Sequence, residues 1–127
     1  MSLALDFVTP PPGLDPLTRF VLQDIEGATG LYALRSVEND AVRLFVLDAA
    51  VHLPDYSPIL SDEQGSALAL TRPEDAIVLV VANPGGNGTS VNLAAPIIVN
   101  ATSGASAQVI LEGQDWPLRA ELSALSA

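Results

Sequence analysis

A single histidine, His52, stands in a chain that carries fifteen acids and many hydroxyls, so a Ser/His/Asp arrangement can be assembled on paper. The pattern around it argues otherwise. His52 closes the run "FVLDAAVH" with no strained strand-to-helix turn to present a nucleophile, and a lone histidine after an apolar run is ordinarily structural. "PGGNG" (84–88) is too short for a phosphate-binding fingerprint, and a strand follows it where a helix would be required, so it reads as a turn. The acid pairs Asp62-Glu63 and Glu74-Asp75 lack calcium-ligand spacing and read as a helix start and a solvated turn. The absence of cysteine removes thiolate nucleophiles, thiolate metal sites and disulfides together. Asn87-Gly88-Thr89 and Asn100-Ala101-Thr102 match a glycosylation pattern, accidental in a chain without a signal peptide. The expectation is a protein that is not an enzyme, without catalytic, cofactor-binding or metal-ligating residues.

A different kind of chemistry is offered by "VHLPDYSPILSDEQG" (51–65), where an apolar run stops at Pro54 and an acid and a tyrosine follow. Pro54-Asp55-Tyr56 has two readings. It is a structural corner, with the Tyr56 ring packed inward and its hydroxyl bonded to a backbone group. Or it is a contact surface, an aromatic anchor beside an acid, as interface hot spots favour. The expectation taken forward is the contact surface, with Asn92 and Pro96 of "VNLAAPIIVN" (91–100) as further candidates for partner binding.

The elements that must position these residues are mostly strands. In "VRLFVLD" (42–48), Val42, Leu44 and Val46 alternate with Arg43 and Phe45; in 91–100, Val91, Leu93, Ala95, Ile97 and Val99 form one apolar face. "AQVILEG" (107–113) alternates likewise, and "AIVLVVA" (76–82), apolar on both faces, predicts a central, doubly covered strand. "LALDFV" (3–8), "TRFVLQDI" (18–25) and "LYALRSV" (31–37) complete the set. Short connections at 27–30, 38–40 and 84–88 join antiparallel neighbours, because a parallel crossover needs a dozen residues or more. One helix is expected at about 61–70, with Ser61 as cap, Gln64 completing a capping box, and Asp62 and Glu63 at the positive end of its dipole. Thr71-Arg72-Pro73 ends it. Pro96 cannot donate to a ladder, so its strand is an edge or is bulged there. The fold class is therefore mainly β, an antiparallel β-barrel-like single domain spanning 1–127, with one short helix.

The charge balance narrows the partners. Fifteen acids face five arginines and no lysine, a formal charge of −10. Such a surface repels a phosphate backbone, so direct nucleic-acid binding is not expected, and a basic protein partner is favoured. No apolar stretch is long enough to span a membrane as a helix, and the N-terminus lacks a secretory pattern, so a cytoplasmic location is expected.

Taken in order, the segments resemble the FliW family of bacterial flagellar assembly factors. The matching pieces are "FVTPPPGLDPLTRFVL" (7–22), "LRSVE" (34–38), "LFVLD" (44–48), "LPDYSPILSDE" (53–63), "RPEDAIVLVV" (72–81), "VNLAAPIIVN", "AQVIL" (107–111) and "DWPLR" (115–119). Each is weak alone, and their register over most of the chain carries the resemblance. The departures are Leu14 for an aromatic, Arg35 for Gln, Ala49 for Pro and Ala120 for His. The resemblance implies a β-barrel that works by binding proteins rather than by catalysis. It would bind CsrA, a basic RNA-binding dimer, to relieve repression of flagellin mRNA translation, and it would bind newly made flagellin. The rival expectation is a small-ligand-binding β-barrel, or another adaptor domain without CsrA binding.

Overall fold

The computed structural model describes residues 2–10, 14, 16–27, 29–39, 41–53, 56, 58–70, 75–85, 88–111, 114, 116 and 120–121. Its strands are β1 (Ser2–Phe7), β2 (Arg19–Asp24), β3 (Leu31–Ser36) and β4 (Arg43–Asp48), then β5 (Ala76–Gly85), β6 (Gly88–Val91), β7 (Ile97–Asn100), β8 (Ala105–Gln108) and β9 (Ala120–Glu121). Two short helices among the described residues, α1 (Ala49–His52) and α2 (Asp62–Ala67), fall between β4 and β5.

The strands run β4-β3-β2-β1-β8-β7-β5, and β5 pairs back onto β4, closing a seven-stranded barrel. An odd ring cannot alternate in direction all the way round, so at least one seam must be parallel. That seam is β1–β8, where Asp6 faces Ala105 and Phe7 faces Ser106; the other six are antiparallel. It is sealed by Asp6 N–H on the Gly104 carbonyl (3.0 Å) and Val8 N–H on Ser106 (2.9 Å). Gly104 is required here. Its φ is +82°, and a Cβ would lie 2.6 Å from the Ala4 carbonyl oxygen.

Alternation sorts the side chains into an inner and an outer layer. Inside, Leu5, Phe7, Phe20, Leu22, Leu34, Val46, Leu79, Ile97 and Val99 fill the barrel, with Phe7 edge-on to Phe20 at 5.3 Å between centroids. Each such burial contributes roughly 1.5–3 kcal/mol. Outside, two apolar clusters coat one side. The first is built on Leu47, Leu53, Val80, Ala82, Val91 and Leu93; the second on Leu68, Ile98, Val109 and Leu111. The double covering expected of β5 is visible at Leu79 and Val80, adjacent residues that face opposite ways and are both fully buried.

The stretch 91–100 differs from its expected single face. Val91 pairs with Ala82 on β5, but Ile97 pairs with Leu79, so five residues (92–96) stand opposite two. This is a three-residue bulge. An odd insertion reverses the alternation, which is why Val91 and Leu93 pack in the outer coat while Ile97 and Val99 enter the barrel. The strand expected at 107–113 is β8 (105–108), and its line continues as Val109 N–H bonds Pro96 and Leu111 N–H bonds Ala94, both 2.9 Å.

The capping box is present as read: Ser61 Oγ accepts from Gln64 N–H, and Gln64 Oε1 accepts from Ser61 N–H. The helix is shorter than expected because it closes at once. Leu70 N–H reaches the Gly65 carbonyl and Ala69 N–H reaches Ser66, the two bonds of a Schellman ending, with Ala69 at φ +54°. Thr71-Arg72-Pro73 lies outside the described residues. The additional helix, α1, is a single turn capped by Asp48, whose Oδ1 accepts from Ala50 N–H at 2.9 Å.

Candidate partner-binding surface

The outer coat is where the chain's remaining polar chemistry gathers. Tyr56 follows α1 and is partly buried, and its N–H bonds the Leu53 carbonyl at 3.0 Å. Its hydroxyl donates to the Leu93 carbonyl, and its ring stands edge-on to Trp116, 4.7 Å between centroids at 83°. Burial pushes the phenol well above the ordinary tyrosine value of 10.0. Tyr56 and Trp116 touch both outer clusters, so the pair staples the two halves of the coat together. The structure thus gives Tyr56 the inward-packed geometry with its hydroxyl on backbone. Pro54 and Asp55 lie outside the described residues.

Asn92 and Pro96 are the two ends of the bulge that Tyr56 grips through Leu93. Asn92 N–H still bonds Val81, while its Oδ1 accepts from Ala94 and Ala95 N–H, both at 3.1 Å, and folds the chain back. Pro96 is fully buried. The expectation that Pro96 touches a partner is corrected: its missing N–H suits a bulge, and its ring is buried within the chain and not exposed to a partner. Trp116 was not singled out as a site residue in the sequence, although it is the chain's only tryptophan and lies within "DWPLR". Gln114 was missed as well. Its side-chain amide mimics a strand, accepting from Ile59 N–H and donating to the Ile59 carbonyl, both at 3.0 Å.

His52 has a structural explanation. Its Nε2 lies 2.9 Å from the Thr29 carbonyl, over the β2–β3 turn, where a Cβ on Gly30 would come within 2.8 Å of that nitrogen. Asn100, matched to a glycosylation pattern in the sequence, is buried. Its Nδ2 donates to the Leu68 carbonyl (2.8 Å), and its Oδ1 accepts from Thr102 N–H (2.9 Å) and Ser103 N–H (3.2 Å). Among the described residues, no three His, Asp or Glu side chains converge as a metal site, and every buried side-chain polar atom has a hydrogen-bond partner. No helix among them is long and apolar enough to cross a membrane.

A closed barrel whose interior is filled largely by apolar side chains, coated on one side by apolar clusters and two short helices, defines a class: small barrels whose outer surfaces are available for work. The comparisons with known proteins make this specific. The family model described as "FliW protein" matches residues 2–122. The chain is 30% identical over 112 residues to "Flagellar assembly factor FliW" of Clostridium beijerinckii, covering 87% of this chain and 79% of that protein. It is 33% identical over 110 residues to the protein of the same description from Caldicellulosiruptor saccharolyticus, covering 85% and 72%. A solved structure, described as the crystal structure of the flagellar assembly factor FliW, superposes with a TM-score of 0.87 at 26% identity, covering 94% of this chain and 84% of that one. This chain belongs to the FliW family of flagellar assembly factors.

Proposed function

We propose that the chain binds the translational regulator CsrA and relieves its repression of flagellin mRNA, and that it also binds newly made flagellin. It would do so in the cytoplasm, as one unit over its 127 residues. The observation that carries the CsrA half of this reading is charge: a family member with a formal −10 and no lysine is matched to a basic, RNA-binding partner. An acidic body docked beside an RNA site adds negative potential there and weakens phosphate binding without covering the site. Pro54 and Asp55 remain proposed contacts of the corner, Asn92 a proposed contact beside it, and Tyr56 is proposed to shape the surface by holding the corner to the bulge. Flagellin binding is proposed to rest on apolar burial, so it survives salt that weakens the CsrA complex.

The rival reading, a small-ligand-binding barrel, is disfavoured by an interior filled by Phe20, Leu34, Val46, Leu79 and Ile97, all at 0–1% exposure. Stopped-flow association with CsrA tests the proposal. The on-rate should fall severalfold from low to physiological salt, where the Debye length is about 8 Å. A salt-independent on-rate would remove the electrostatic mechanism, and parallel weakening of both complexes by salt would remove the two-surface version.

A further inference from the structure

The outer coat has a gap. On the outward face of β5, Val80 is fully buried, yet Val78 and Ala76, two and four residues earlier on the same face, are only partly covered. The reason lies in the elements on either side. Ala49 of α1 and Leu53 cover one flank, and Leu60, Leu68 and Leu70, which bracket α2, cover the other, leaving Ala76 and Val78 between them only partly covered. Two hollows meet over Ala76 and Val78: one of about 460 Å³, bounded by Leu53 and Tyr56, and one of about 580 Å³, bounded by Leu60, Leu70 and Ile98. Together they form one trough with an apolar floor. Asp48 stands at its α1 side and Asp62 at its α2 side, and among the described residues no arginine lines either hollow. The described arginines, Arg19, Arg35 and Arg43, belong to β2, β3 and β4.

We infer that this trough is the seat for a short apolar segment flanked by lysine or arginine, supplied by the basic partner. The charge pattern selects that occupant. Apolar side chains fill the floor over Ala76 and Val78; one flanking cation meets Asp62, which has no cation of this chain beside it among the described lining residues, and the other meets Asp48, whose Oδ1 also accepts from Ala50 N–H as the cap of α1. A second copy of this acidic chain is disfavoured by like charge, and an acidic or purely apolar segment leaves the rim carboxylates unmatched. The inference rests on the CsrA reading above and says where on the chain that protein is held.

The test fills the trough from its rim. Ser66 is exposed on α2 and lines the larger hollow, so Ser66→Trp occupies the space without disturbing the core. Binding to purified CsrA and to purified flagellin is measured by calorimetry on wild type, Ser66→Trp and Asp62→Asn, with Val37→Trp, an exposed site on the β3–β4 connection, as the control. The expected result is at least a tenfold loss of CsrA affinity in Ser66→Trp and a severalfold loss with a shallower salt dependence in Asp62→Asn. Val37→Trp and flagellin binding should stay as in wild type. If Ser66→Trp lowers the melting temperature, Ser66→Arg serves instead, setting a cation against the incoming one. Wild-type affinity for CsrA in the filled variants overturns the trough while leaving the functional reading intact. Loss of flagellin in place of CsrA overturns it too, by assigning the trough to the other partner. A wild-type chain that does not bind CsrA removes the parent reading, and the inference with it.

Discussion

Replacing Tyr56 separates the architecture of the corner from its use. Tyr56→Phe deletes only the hydroxyl that donates to the Leu93 carbonyl and keeps the edge-on contact with Trp116. A hydrogen bond of this kind contributes about 1 kcal/mol net. Tyr56→Ala also removes the ring. A fully buried aromatic costs about 3–5 kcal/mol on truncation, and Tyr56 is partly buried, so about 3 kcal/mol is expected. For a chain of this size the melting temperature should fall by about 4 °C in the first variant and about 12 °C in the second. Binding per folded molecule should change little in Tyr56→Phe, because the ring's edge-on contact with Trp116 still holds the corner against the coat. The phenol adds a pH signature. Its folded pKa is raised, so its contribution is complete below the unfolded value of 10.0 and is lost as pH rises from there toward the folded pKa. Thermal unfolding followed into alkaline pH should show a decline in wild type that Tyr56→Phe reduces. If Tyr56→Ala melted within a degree or two of wild type while binding collapsed, the staple between the outer clusters would be refuted and the ring would be a contact residue.

The other expectations test the joints around that coat. Asn100→Ala should cost about 2–4 kcal/mol, since it strips the Leu68 carbonyl of its donor and the Thr102 and Ser103 amides of their acceptor; chemical denaturation measures it, and a loss below half a kcal/mol would contradict the buried network. Ala69→Gly should raise stability by about 0.5–1 kcal/mol, because the left-handed position that closes α2 strains a residue with a Cβ; a lower melting temperature would count against the Schellman assignment. Glu38 Oε1 accepts from Thr18 and Arg19 N–H, both at 3.0 Å, and those bonds, Arg19 foremost, hold its carboxyl below the ordinary value. A lowered carboxyl contributes stability above its unfolded pKa and loses it as pH falls through the folded one. Acid titration of unfolding should therefore show a decline that Glu38→Gln flattens, and identical acid limbs would refute the clamp.

Much of the barrel was legible because its strands alternate and its turns are short. The capping box at Ser61 and Gln64 was readable for a similar reason: the bonding is local, between residues three apart. What the pattern could not disclose is the slip at 92–96. Val91, Leu93, Ala95, Ile97 and Val99 keep a period of two straight through the bulge, and Ala94 and Ile98 make the opposite face apolar too. Nothing in the alternation marks where the strand turns itself over, and only pairing with β5 does so. Pro96 was the one local sign. The turn α1 is four residues, too short for a helical period to register, and Asp48 was visible only as a strand end. The Tyr56 corner was readable as two alternatives because its resolution depends on partners far along the chain, Leu93 and Trp116, which no local pattern connects.

Relief of CsrA repression by this acidic barrel can be measured by titrating the chain into a preformed complex of CsrA with flagellin leader RNA and following RNA release by fluorescence anisotropy. RNA should leave as the chain is added, the chain itself should not bind the RNA, and added flagellin should restore the CsrA–RNA complex. An RNA complex left intact at saturating chain would contradict it.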